Sequence, residues 1–199
     1  MRAIGLARLL AVSLILTGCA GQTIRQTEQL SWSDHRRQLI NLTNWKVTGK
    51  LALRTAEQSE SGSMIWRQQE DDTQLNLSGP LGVGATTIAA TSSDLEIRRN
   101  GQIHIYDIST PETIIRDTGW DLPVHALPHW LKGMATPRLE VGDQVVEQGL
   151  LRRLEQQGWM VPYQAYRQCE PYMLPTQLRI ERDQTRARVI IRQWKIFTS

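Results

Sequence analysis

The sequence lacks most of what specialised chemistry requires. Two cysteines in 199 residues allow neither a disulfide framework nor a thiolate metal cage. With Cys19 committed to the role described below, Cys169 has no partner in the chain and reads as a small core residue. No Gly-x-Ser-x-Gly elbow, phosphate-binding glycine loop or His-Glu-x-x-His motif occurs. His125 and His129 stand four apart, as metal ligands on one helix face do, but Pro128 interrupts that helix, so both read as packing or surface residues. His35 and His104 stand alone. No catalytic residue, metal ligand or cofactor is assigned, and the chain is not read as an enzyme. Charge of one sign is scarce too: 23 basic residues against 20 acidic ones give a net +3. Arg98, Arg99, Arg152, Arg153, Arg186 and Arg188 are scattered over predicted strands as solvated faces, so nucleic-acid binding is not expected.

The chain also lacks a long hydrophobic run. Its longest, Leu9 to Leu16, falls well short of the roughly 20 apolar residues that cross a bilayer as a helix. It follows Arg2 and Arg8 and ends in Thr17-Gly18-Cys19, the order of a cleavable export signal. Leu16-Thr17-Gly18-Cys19 resembles the bacterial lipobox, which implies diacylglycerol on the Cys19 sulfur, cleavage before Cys19 and acylation of the new amine. Two or more acyl chains make a firm anchor, whereas one holds a protein only marginally. Ala20, where an Asp would favour inner-membrane retention, implies sorting to the outer membrane. Both leader arginines leave with residues 1–18 and no acid does, so the mature 181 residues carry +1.

After the signal, residues 19–30 are mostly polar and aperiodic, as a tether is, and 31–199 are long enough for one domain with its own core. Ser31 to Thr43 carries Trp32, Leu39 and Leu42 at helical spacing, with Ser33 and Asp34 available to bond the free amides of the first turn. From Trp45 the period becomes two. Trp45, Val47, Gly49, Leu51 and Leu53 share one face, while Lys46, Thr48, Lys50 and Arg54 take the other. The alternation recurs with Met64 and Trp66, Leu75 and Leu77, Leu95 and Ile97, Ile103 and Ile105, Leu178 and Ile180, and Ala187, Val189 and Ile191. Ser61-Gly62, Glu70-Asp71-Asp72 and Asn100-Gly101 read as turns between these runs.

Between the strand groups lies a helical interruption. Thr110-Pro111-Glu112 opens it, Ile114 and Ile115 give it an apolar side, and a short helix from about Val124 to Lys132 presents Leu127, Trp130 and Leu131 inward before stopping at Gly133. The fold class is mostly β (α+β): a strongly curved antiparallel sheet with one apolar face, covered by short helices. Periodicity does not distinguish a filled interior from a cavity, and taken alone it favours the filled one.

One segment breaks the usual chemistry of turns. In Ser78-Gly79-Pro80-Leu81-Gly82-Val83-Gly84, Pro80 suits the second position of a type I turn and Gly82 the fourth, which sets Leu81 at the apex. Burying a leucine contributes about 1.5–3 kcal/mol, so the residues alone favour a Leu81 folded back onto the body.

Trp32-x2-His35, Leu42-x2-Trp45, Gly49-Lys50-Leu51-Ala52, the strand around Trp66, Gly79-Pro80-Leu81-Gly82 and the insert ending in Trp130-Leu131-x-Gly133, in this order, resemble the outer-membrane lipoprotein receptor family LolB over most of the mature chain. The resemblance implies an open antiparallel β half-barrel with a helical lid over a hydrophobic cavity. It also implies acceptance of lipoproteins from the periplasmic carrier LolA and their insertion into the inner leaflet of the outer membrane, by a monomer facing the periplasm. It thereby reverses both structural preferences. The apolar face becomes the lining for acyl chains, with Leu51, Leu53, Trp66, Leu75, Leu77, Ile115, Trp130 and Leu131 as candidates, and Gly79, Pro80, Leu81 and Gly82 become a membrane-insertion loop. Two other readings stay open: a lipid-anchored envelope interaction or structural protein with a filled interior, and a carrier of another lipid on the same fold.

Overall fold

The computed structural model describes residues 30–56, 59–79, 84–109, 123–137 and 139–197. Cys19, the insertion-loop residues Pro80, Leu81 and Gly82, and Ile114 and Ile115 lie outside them. Helix α1 (Trp32–Asn41) precedes a meander of β1 (Asn44–Arg54), β2 (Ser59–Gln69), β3 (Asp72–Ser78), β4 (Thr86–Ala90), β5 (Asp94–Arg99) and β6 (Gln102–Asp107). Helix α2 (Leu127–Lys132) then leads to β7 (Val141–Glu147), β8 (Leu150–Gln156), β9 (Trp159–Cys169), β10 (Tyr172–Arg182) and β11 (Thr185–Ile196).

All eleven strands form one antiparallel sheet in the order β6-β5-β4-β3-β2-β1-β11-β10-β9-β8-β7. The first and last strands are neighbours at its middle. β6 and β7, consecutive in the chain, are opposite edges and do not pair, so the sheet stays open. The connection between them carries α2.

Register shows why the alternation in sequence builds a single core. Val47 is opposite Trp66, Trp66 opposite Leu75, Leu75 opposite Ile88 and Ile88 opposite Ile97, one apolar row through five strands. On the other side of β1, Leu53 faces Ala187 and Ala187 faces Ile180. Because side chains alternate faces along a strand, one such row fixes every other. Gly49 interrupts the β1–β11 register with a bulge. A Cβ there would lie 2.1 Å from the Ile190 carbonyl oxygen, so only glycine permits the approach, and the bulge adds local twist to the middle of the sheet. Asn100-Gly101 does form the β5–β6 turn. Both residues are left-handed (φ 52° and 78°), the conformation that matches strand twist in a two-residue hairpin.

Three sequence expectations are corrected. Ser61-Gly62 is not a turn but lies inside β2, where Gly62 is needed because a Cβ would meet the Ser78 carbonyl oxygen at 2.4 Å. Ile103 and Ile105 do not join the apolar face. On edge strand β6 they sit opposite Arg98 and Glu96 and are 52% and 67% exposed. In α1 no side chain caps the first turn, since Asp34 pairs with Arg37 instead.

Candidate functional site

Beneath α2 the sheet encloses an apolar cavity of ≈ 100 Å³. Its wall comes from β1 (Leu51, Leu53), β2 (Met64, Trp66), β3 (Thr73, Leu75, Leu77), Ile88 of β4, Leu95 of β5, Ile180 of β10, and Ala187 and Val189 of β11. Val124, Leu127 and Leu131 close it from above. Thr73 is the one polar residue in this wall, and its hydroxyl donates to Gln68 Oε1 at 2.7 Å. The Trp66 indole donates to the same oxygen at 3.1 Å. Both polar atoms are thus satisfied by Gln68 and leave the wall hydrocarbon.

Burial changes along β1 in a way a filled core would not show. Trp45, Val47 and Gly49 are buried, but Leu51 and Leu53, on the same face, are only half-buried. On this face burial is therefore complete at the start of β1 and partial toward its end. There a second space of ≈ 290 Å³ shares Leu51, Leu53 and Leu77 with the cavity and continues to Gly62, Gly79 and Gly84, so it reaches the two described residues that flank 80–83. Glu60 and Arg99, paired at 2.9 Å, also line it.

Six of the eight lining candidates, Leu51, Leu53, Trp66, Leu75, Leu77 and Leu131, stand on this one wall. Trp130 does not, and Ile115 lies outside the described residues. Trp130 is fully buried behind the wall, and its indole donates to Gln156 Oε1 at 2.9 Å. Gln156 Nε2 in turn donates to the Thr136 and Leu139 carbonyls at 3.0 and 3.1 Å, and Tyr163 Oη donates to the Trp130 carbonyl at 2.9 Å. Trp130 therefore fastens the lid. Lys132 does so as well, donating to the Leu39 and Leu42 carbonyls at 2.9 Å each. Burial draws its ammonium down to about 8, yet its position at the C-terminal end of α1 suits a cation. The helix stops as the sequence implied, at Gly133 with φ 85°.

His35, which sequence reasoning left alone, is fully buried and reaches the Met173 carbonyl through Nε2 (2.8 Å) and the Gly149 carbonyl through Nδ1 (3.2 Å). Burial holds its pKa below the ordinary range. The neutral ring has one N–H, so it donates to one of these carbonyls at a time and clamps α1 to the sheet. Its position between Trp32 and Leu39 on the inward stripe of the helix was the available signal. Ile88, Ala187 and Val189 were also missing from the candidate wall, although register places them on it.

The profile of the family described as outer membrane lipoprotein LolB matches residues 43–194. The chain belongs to the LolB family. That span contains every wall residue named above. The chain is 34% identical to the outer-membrane lipoprotein LolB of Pseudomonas savastanoi pv. phaseolicola, with 91% of each protein covered. It is 31% identical to that of Stutzerimonas stutzeri, with 92% of each covered. A putative outer membrane lipoprotein-sorting protein domain from Vibrio parahaemolyticus shares the fold, with a TM-score of 0.56 at 11% identity over 84% of this chain and 92% of that one. LolB membership assigns the chain to lipoprotein localisation at the outer membrane, not to enzyme catalysis. Among the described residues no three His, Cys, Asp or Glu come together to hold a metal, and no helix is long and apolar enough to cross a membrane.

Proposed function

We propose that the apolar cavity receives the acyl chains of lipoproteins handed over by the periplasmic carrier LolA, and that the chain then releases them into the inner leaflet of the outer membrane. The observation that carries this reading is the hydrocarbon wall with half-buried Leu51, Leu53 and Leu77. Apolar side chains that face inward yet keep accessible surface are what a displaceable apolar ligand needs. Each methylene kept from water is worth about 0.8 kcal/mol, so a chain of roughly fifteen methylenes carries about 12 kcal/mol from one apolar environment to the next. Transfer then needs only a gradient of affinity, from carrier to receptor to bilayer, and no nucleotide.

The cavity of ≈ 100 Å³ is smaller than the roughly 150 Å³ that holds a benzene, so uptake of an acyl chain requires the wall to widen. Trp130 and Lys132 fasten α2 at its C-terminal end, which leaves the Val124–Leu127 side and the mouth beside Gly79 to yield. Lipid on Cys19 holds the protein at its working membrane as a monomer facing the periplasm, and Leu81, in the sequence between Gly79 and Gly84, meets the bilayer during release. Purified LolA charged with a radiolabelled lipoprotein tests the reading. Label should pass to this protein without nucleotide and then to liposomes, and label that stays with the carrier overturns it.

A further inference from the structure

The outer face of the sheet carries cations that are scattered in the sequence and gathered by register. Lys50 and Arg54 of β1, Arg186 and Arg188 of β11 and Arg179 of β10 alternate with the inward apolar residues of their strands, and all five are exposed. Arg54 stands directly opposite Arg186, and Arg188 directly opposite Arg179. Like charges at opposed positions cost stability, so the sheet itself gives no reason to collect them. The acid in this block is Glu181, opposite Arg186, and it pairs with Arg179 at 3.2 Å. The other four cations make no ion pair among the described residues.

A groove of ≈ 480 Å³ lies on this block, lined by Lys50, Arg188, Ser61, Ser63, Ser78 and Gly79 and by no acidic residue. Exposed cations and hydroxyls offer hydrogens with positive charge, the match for phosphate oxygens. The groove shares Gly62, Ser78 and Gly79 with the space that continues the apolar cavity, so a phosphate held there lies beside the mouth. The place where the tether joins the fold adds an independent constraint. A Cβ on Gly149 would lie 1.8 Å from the Leu30 carbonyl oxygen, so Leu30 is packed on the β7–β8 turn. Strand pairing puts that turn at the end of the sheet where β1 starts, and Gly79 at the end where β1 finishes. Along the eleven residues of β1 these ends are about 35 Å apart, at about 3.3 Å per residue. The eleven residues that join Cys19 to Leu30 reach at most about 40 Å when fully extended. A molecule standing mouth-down from lipid on Cys19 would need almost all of that length, whereas one on its side brings both ends to the bilayer.

Resting on the lipid anchor proposed above, we propose that the outer face of β10, β11 and β1 lies on the anionic phosphate headgroups of the bilayer, so that the protein works side-on. The membrane surface then supplies the negative charge that the clustered cations lack. The mouth beside Gly79 comes to headgroup depth, where chains leaving the cavity have the shortest path through water, and α1 and α2 face the aqueous side from which the carrier arrives.

Mature lipoprotein reconstituted in vesicles tests this, with a fluorescent amino acid at Ala52, between Lys50 and Arg54, or at Gln38, exposed on α1. The vesicles are phosphatidylcholine alone or mixed with phosphatidylglycerol, and both carry a lipid with a nitroxide on its headgroup as quencher. In the mixed vesicles quenching should be several-fold stronger at position 52 than at 38. The difference should shrink in phosphatidylcholine alone and in about 1 M sodium chloride, which screens charges beyond about 3 Å. Each cation near an anionic surface strengthens attachment about fivefold, so Lys50→Gln combined with Arg188→Gln should lower the ratio of side-on to free molecules on the order of tenfold. Both side chains are exposed, and a parental urea midpoint verifies that the variant folds. Equal quenching at 52 and 38 in the mixed vesicles, or quenching at 52 that neither salt nor the double variant reduces, overturns the proposal while the anchor stands. Protein that floats with neither kind of vesicle removes the anchor and the face together.

Discussion

Ala187 stands on β11 opposite Leu53 and Ile180, on the wall of the apolar cavity. Replacing it by leucine places extra carbon atoms in space that is now empty. An unfilled apolar cavity costs about 24 cal/mol per Å³, so the ≈ 100 Å³ present represents at most about 2.4 kcal/mol. Imperfect fit returns part of that, since overpacking costs on the order of 1–3 kcal/mol. Where the fit is good, Ala187→Leu should therefore stabilise the fold by up to about 1.4 kcal/mol and raise Tm by a few degrees. In a filled core the same change would destabilise. The filled cavity should also take up acyl chains poorly, so urea unfolding and lipoprotein transfer from the carrier must move in opposite senses: higher midpoint, slower transfer. A variant that loses stability and transfers at the parental rate would refute both the geometry of the wall and its role.

Leu81→Glu should leave folding and acceptance from the carrier intact while slowing deposition, and parental rates of insertion into liposomes would rule out the tip role. His35→Ala should lower stability by about 2–3 kcal/mol in urea denaturation, because the Met173 and Gly149 carbonyls lose their shared donor and a fully buried ring is removed; a change within about 0.5 kcal/mol would show that the imidazole contributes little to holding α1. Acid should destabilise the protein through His129. Its folded value of about 4 lies below the unfolded 6.5, so the unfolded chain takes the proton first and stability falls as pH drops from 6.5 toward 4, by at most about 3 kcal/mol. His35 acts in the same direction, and His129→Gln should flatten, without abolishing, the acid limb of a pH series of urea midpoints. Lys132 produces the same sign in a higher window, with stability gained as pH rises from about 8 to 10.5, a rise that Lys132→Met should remove.

The readable parts of the fold were those where one-sided burial writes itself locally. Trp45 to Leu53 alternates because one face of β1 is covered and the other is wet, and Asn100-Gly101 is a turn wherever it occurs between strands. β7, β8 and β9 left no such trace. Leu150-Leu151 and Arg152-Arg153 pair like with like, a register shift falls between Val145 and Val146, and Pro162 and Pro175 lie within strands. Period also says that Ile103 and Ile105 share a face without saying which, and only pairing with β5 turns them outward. The cavity was legible only by resemblance, because Leu51 and Trp45 look alike in sequence and differ in what lies above them. Trp130 was nominated as an inward-facing residue of the short helix, which the resemblance made part of the lining. Its indole is instead spent on Gln156, a contact between residues 26 apart that no local pattern encodes.

The central claim is that acyl chains travel along the inner face of the sheet. A photoreactive amino acid placed at Leu51 or Leu77 on that face, and at Ile65 on the outer one, reports this directly when a LolA–lipoprotein complex with labelled acyl chains is added and the mixture is irradiated during transfer. The account predicts label on the protein from positions 51 and 77 and none from 65. Equal labelling at all three positions, or label from 65 alone, would contradict it.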